Sequence, residues 1–150
     1  MPTATDLDLE QVARLRLAVA RVSRRLRTVP AGQGMTSTQL SVLAAVVRDG
    51  PVKLGDLATT EDVNPTMLSR IVAKLDADGL LSRTADPDDA RVAVVNATAS
   101  GRRRHEKIRQ ERTEALATVL AELDPDHVRA LSAAVPALEM LGAALQERRV

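Results

Sequence analysis

The chain has no cysteine, phenylalanine, tyrosine or tryptophan among its 150 residues. The first absence excludes disulfides, thiol redox sensing and cysteine-ligated metals. The lack of aromatics means that the core is aliphatic and that no ligand is held by ring stacking. Single-strand binders stack bases on aromatic side chains, so a duplex is the expected nucleic-acid partner. No apolar run approaches the ~20 residues of a membrane span. The opening MPTATDLDLE is acidic and polar, which is wrong for a secretory signal. The expectation is a soluble, cytoplasmic protein with no membrane contact. A large net charge is lacking too: the total is +1.

What is present is a chain of one-domain length, 45% hydrophobic and rich in Ala, Leu, Val and Arg. That excludes a disordered chain and permits a real core. The charge is unevenly spread. From Asn64 to Arg109 there are nine basic and six acidic side chains, +3 for that segment. Distribution matters more than the sum for a nucleic-acid binder.

The stretch around which the rest is arranged is NPTMLSRIVAKLDAD, Asn64 to Asp78. Asn64 suits an N-cap and Pro65 the first helical position. Leu68, Ile71, Val72 and Leu75 form one apolar stripe. Thr66, Ser69, Arg70, Ala73 and Lys74 occupy the opposite face, a set able to reach base edges and phosphates. Taken alone, this is also the pattern of an ordinary amphipathic surface helix. Its neighbours change the reading. Leu54 to about Asp62 reads as a short helix with Leu54, Leu57 and Ala58 inward, joined by the turn Asp62-Val63-Asn64, with Val63 plugging the core. Two helices joined by so short a turn form a helix-turn-helix. Gly79 caps the second helix. Leu80–Thr84 and Val92–Val95 read as strands around the turn Ala85–Arg91, a β-hairpin in the position of a wing.

The flanks are helical. Leu7 to about Val29 carries Val12, Leu15, Val19, Val22 and Leu26 near heptad spacing, which serves a partner helix or internal packing equally. Pro30–Gly34 is a loop. Thr36 and Gln39 make a capping box for a helix whose buried stripe is read as Leu40, Leu43, Ala44 and Val47, ended by Asp49-Gly50-Pro51. Thr98 caps a helix running to about Leu123, with Ile108, Leu116, Val119, Leu120 and Leu123 on its apolar side. Asp124-Pro125-Asp126 opens a last helix lined by Val128, Leu131, Val135, Leu138, Leu141 and Leu145, with a kink expected at Pro136.

In this order the chain resembles the MarR family of bacterial transcription regulators over nearly its whole length. The matching residues are Thr36-Ser37-Thr38-Gln39, Leu57-Ala58, Asn64-Pro65-Thr66, Ser69-Arg70, Leu75, Gly79-Leu80-Leu81, Asp86-Pro87-Asp88-Asp89-Ala90-Arg91 and Thr98-x-x-Gly101. The wing-tip D-P-D-D-x-R is the most specific of these. The resemblance implies a mainly α fold with a small β-wing. It implies a single domain over 1–150, with 36–97 as the winged helix-turn-helix and 7–29 and 98–148 as dimerisation helices. It also implies a homodimer on inverted-repeat double-stranded operator DNA, with half-sites about one helical turn apart, and a repressor released by a small-molecule effector.

Carried over by position, Arg91 resembles the arginine that enters the minor groove, and Asp89 the carboxylate that orients it. Thr66, Ser69, Arg70 and Lys74 take the major-groove role. Pro65 and Met67 are apolar contacts to a thymine methyl. Arg83 serves phosphate or structure equally, and Arg102 to Arg104 suit a solvated helix face better than a phosphate contact. Where the family turn carries a hydrophobic residue and glycine, this chain has Glu61 and Asp62. Asp tolerates left-handed geometry, so the turn is expected to hold. Leu40 stands where relatives often have an aromatic. Arg16 or Arg21 can hold a carboxylate effector, but no residue is singled out.

Two other classes compete. A winged helix used only for protein contact fits the low net charge. An enzyme does not: His105 and His127 are the only histidines, and no nucleophile motif, phosphate loop, metal-ligand spacing or cofactor motif is present.

Overall fold

The computed structural model describes residues 7–28 and 34–148. Met1 to Asp6, Val29 and the Pro30–Gln33 part of the loop lie outside them. The elements are α1 (Leu9–Thr28), α2 (Ser37–Asp49), β1 (Val52–Lys53), α3 (Leu54–Glu61), α4 (Pro65–Ala77), β2 (Leu81–Ala85), β3 (Ala93–Ala97), α5 (Ala99–Ala121) and α6 (Pro125–Glu147). The chain divides into two compact units, Met1–Thr113 and Glu114–Val150.

In the first unit one aliphatic core joins α2, α3, α4 and the sheet. Leu43, Leu57, Leu68, Leu75, Leu81 and Val95 are all exposed by 2% or less. Each such leucine contributes about 2 kcal/mol by leaving water. Thr36 and Gln39 form the expected capping box, with Gln39 N–H donating to Thr36 Oγ1 at 3.2 Å and Thr36 N–H to Gln39 Oε1 at 2.9 Å. The buried side of α2 matches the stripe read from sequence only at Leu43. Val42, Leu43, Ala45 and Val46 are buried, while Leu40, Ala44 and Val47 are half-buried. The reason is that α2 packs against α3, α4 and β3 together, so its covered arc is wider than one seam and is centred elsewhere.

The sheet has three antiparallel strands in the order β1-β3-β2. β1 was not legible. Only its two residues pair, Val52 with Val95 and Lys53 with Val94. The hairpin lies one residue later than expected at its start. Leu80 N–H is taken by Leu75 O at 2.9 Å and Gly79 N–H by Asp76 O at 2.9 Å. This double cap, with Gly79 at φ +74°, closes α4 and removes Leu80 from the ladder. β3 runs on to Ala97, opposite Leu81.

The T-x-x-G element joins α5 to the end of α4. Thr98 Oγ1 lies 2.6 Å from Gly79 O and accepts from Gly101 N–H at 3.0 Å. Thr98 N–H donates to Leu80 O at 3.1 Å. A Cβ on residue 101 would stand 2.0 Å from Leu80 O, so only glycine fits there.

α1 buries none of its side chains. It starts on a reciprocal cap between Asp8 and Gln11. In the second unit, α6 opens on Asp124, whose side chain accepts from Asp126 N–H at 2.8 Å, and runs across Pro136 as one helix. No residue of α6 is buried. By length and composition α6 could also cross a membrane, with a hydropathy of 1.4. Ser132 and Glu139 interrupt its apolar stretch. Glu139 near its middle would cost about 3 kcal/mol in lipid.

Candidate nucleic-acid interface

The polar flank of α4 faces outward because Leu68, Ile71, Val72 and Leu75 are all buried on the other side. Asn64 starts the helix: its Oδ1 accepts from Thr66 N–H at 2.9 Å and from Met67 N–H at 3.4 Å. The turn before it holds in the manner expected. Asp62 sits at φ 52°, ψ 45°, left-handed, and Val63 packs against the core. Ser41 Oγ donates to Glu61 Oε2 at 2.6 Å, so Glu61 ties α2 to the end of α3.

Pro65, Thr66, Met67, Arg70 and Lys74 are exposed on α4, and Ser69 is half-buried. The two cations differ. Lys74 Nζ is paired with Asp78 Oδ1 at 2.7 Å, whereas Arg70 makes no ion pair or hydrogen bond among the described residues. Arg83 is exposed on β2, at the sheet edge. Arg102 Nη2 donates to Ala97 O at 2.9 Å, a structural contact.

At the wing tip, Arg91 Nε stands 3.2 Å from Asp89 Oδ1, and Arg91 N–H donates to the same oxygen at 3.0 Å. The Arg91 side chain is 92% exposed. Its own N–H and guanidinium hold the Asp89 carboxyl below the ordinary 3.8. Sequence reasoning missed Asp86 and Lys53. Asp86 is buried, accepts from Asp88 N–H at 2.8 Å and Asp89 N–H at 3.2 Å, and meets Lys53 Nζ at 3.2 Å. The Asp88 N–H, then Lys53, lower its carboxyl against the opposing effect of burial. An Asp opening a D-P-D turn is the signal that could have found it.

A groove on α1 is lined by Gln11, Arg14, Leu15, Leu17, Ala18 and Arg21. Of the two arginines considered for an effector, Arg21 borders it and Arg16 does not.

The geometry can be set beside known proteins. The model of the MarR family matches residues 35–93. An HTH-type transcriptional regulator of Mycobacterium bovis is 34% identical, over 79% of this chain and 83% of that protein. An HTH-type transcriptional repressor of Bacillus subtilis is 28% identical, over 64% of this chain and 62% of that one. A solved protein of Pseudomonas aeruginosa is 33% identical with a TM-score of 0.77, covering 93% of this chain and 98% of that one.

Proposed function

The chain belongs to the MarR family of DNA-binding transcription regulators, and from that premise we propose that it grips one duplex from adjacent grooves. Thr66, Met67, Ser69 and Arg70 face the major groove with Pro65 at the helix start, and Lys74 joins them once it leaves Asp78. Arg91, aimed by Asp89, enters the minor groove, where a narrow groove concentrates negative potential. The observation that carries this reading is the wing tip itself. An arginine held at its root by a carboxylate yet 92% exposed is built to reach outward.

We read residues 36–97 as the DNA-binding part of one regulator domain. Residues 7–29 and 98–148 pair with those of a second copy. The uncovered apolar side chains of α1 and α6 support that pairing, and a two-fold dimer asks for an inverted repeat. In this reading the regulator acts in the cytoplasm, and it acts as a repressor, as the name of the Bacillus relative says of that protein. A small-molecule effector that prefers the released state lowers operator affinity by shifting the population.

Selection of bound duplexes from a random pool tests this reading. It should return an inverted repeat. Arg91→Ala and Arg70→Ala should each weaken binding to the selected duplex by roughly tenfold and flatten its salt dependence. A pool that stays random, or mutants that bind undiminished, would refute it.

A further inference from the structure

Asp86 is the one charged side chain buried among the described residues. A buried carboxylate is costly unless its oxygens are satisfied, and here they are. One oxygen takes the N–H groups of Asp88 and Asp89, and the other faces Lys53. Lys53 belongs to β1 and Asp86 follows β2, so the ion pair spans the central strand β3. The main chain closes the same loop, with Asp86 N–H donating to Val92 O at 2.8 Å and Val92 N–H to Asp89 O at 2.9 Å. The residue whose N–H Asp86 holds, Asp89, is the one whose carboxylate holds Arg91.

We infer that the Lys53–Asp86 pair positions the wing-tip arginine, clamping the Asp88–Asp89 backbone so that Asp89 presents Arg91 to the duplex already aimed. The inference rests on the groove reading above and names two residues which that reading does not use. A carboxylate near a polyanion opposes binding by its charge. Its gain must therefore come through geometry: a long, exposed side chain loses less freedom on binding when its root is fixed beforehand.

At Asp86 the charge effect and the positioning effect have opposite signs; at Lys53 both predict weaker binding, and only the Arg91→Ala background, where a charge effect persists and a positioning effect vanishes, separates them. Affinity for a duplex selected by the wild-type chain is measured for Arg91→Ala, Asp86→Ala and their double mutant. Asp86→Asn and Lys53→Gln are measured beside them, each also in the Arg91→Ala background. Charge alone predicts that losing Asp86 tightens binding. Positioning predicts that Asp86→Ala weakens it by roughly two- to tenfold, the ordering cost of one long side chain. Asp86→Asn keeps the acceptor for the two N–H groups and loses only the ion pair, so it should weaken binding less, as should Lys53→Gln. None of these changes should weaken binding further once Arg91 is alanine. Thermal melts identify any variant that does not fold. If Asp86→Ala is one, Asp86→Asn and Lys53→Gln decide. If Arg91→Ala itself binds normally, the groove reading fails. If Arg91→Ala weakens binding while the Asp86 and Lys53 changes leave it unchanged, tighten it, or add to the Arg91 loss, the positioning role is overturned.

Discussion

In α4 the apolar stripe Leu68, Ile71, Val72 and Leu75 is 7% exposed or less, whereas in α6 the comparable residues Leu131, Val135, Leu138 and Leu141 are 41–47% exposed. Both helices are long enough to be amphipathic and both begin on an Asx cap with proline at the first turn. They differ in what covers them. The helix-turn-helix closes over its own side chains within about sixty residues of chain. In α6 the apolar face stays uncovered. A face of this kind has a use only when something else lies on it, and the family reading supplies a second copy of the chain.

The most drastic way to break that contrast is to charge the open face. Leu131→Asp with Leu138→Asp should turn a dimer into a monomer in sedimentation runs, while helical circular dichroism from the winged part persists. A wild-type chain that is already monomeric at micromolar concentration would leave the α6 face without a purpose. Next in size is Leu68→Ala. It should cost about 2–5 kcal/mol in denaturant titrations because the site is closed on all sides, and the cost should not depend on protein concentration. Gly101→Ala sharpens the comparison at the point where α5 leaves the core. Its Cβ would stand 2.0 Å from Leu80 O, and the resulting shift should cost about 1–3 kcal/mol, read as a lower melting temperature. The smallest effect has the opposite sign. Asp62 is left-handed at φ 52°, so Asp62→Gly should raise stability by about 0.5–1 kcal/mol.

Most of the fold was legible because the chain marks its element ends with local chemistry. Thr36 with Gln39, Asn64 with Pro65, Gly79, and Asp124 with Pro125 each act within a few residues, and each cap is where the pattern put it. The errors lie where distant packing decides. The buried side of α2 is set by three neighbours at once, which Leu40, Leu43, Ala44 and Val47 do not encode. β1 is only Val52 and Lys53, too short to show any period, and exists through its pairing with β3. At the candidate interface, the exposure of the α4 flank and the Asp89–Arg91 contact followed from motif and periodicity. The Lys53–Asp86 pair did not, because thirty-odd residues separate partners that only the sheet brings together. Nor did the latch of Asp78 on Lys74, which leaves Arg70 as the free cation of that helix face among the described residues.

Groove occupancy can be read directly by hydroxyl-radical and methylation footprinting of a selected duplex with the wild-type chain, Arg70→Ala and Arg91→Ala. The two-groove account predicts that Arg91→Ala loses the minor-groove protection and keeps the adjacent guanine N7 protection in the major groove, while Arg70→Ala does the reverse. Identical footprints from all three proteins would contradict it.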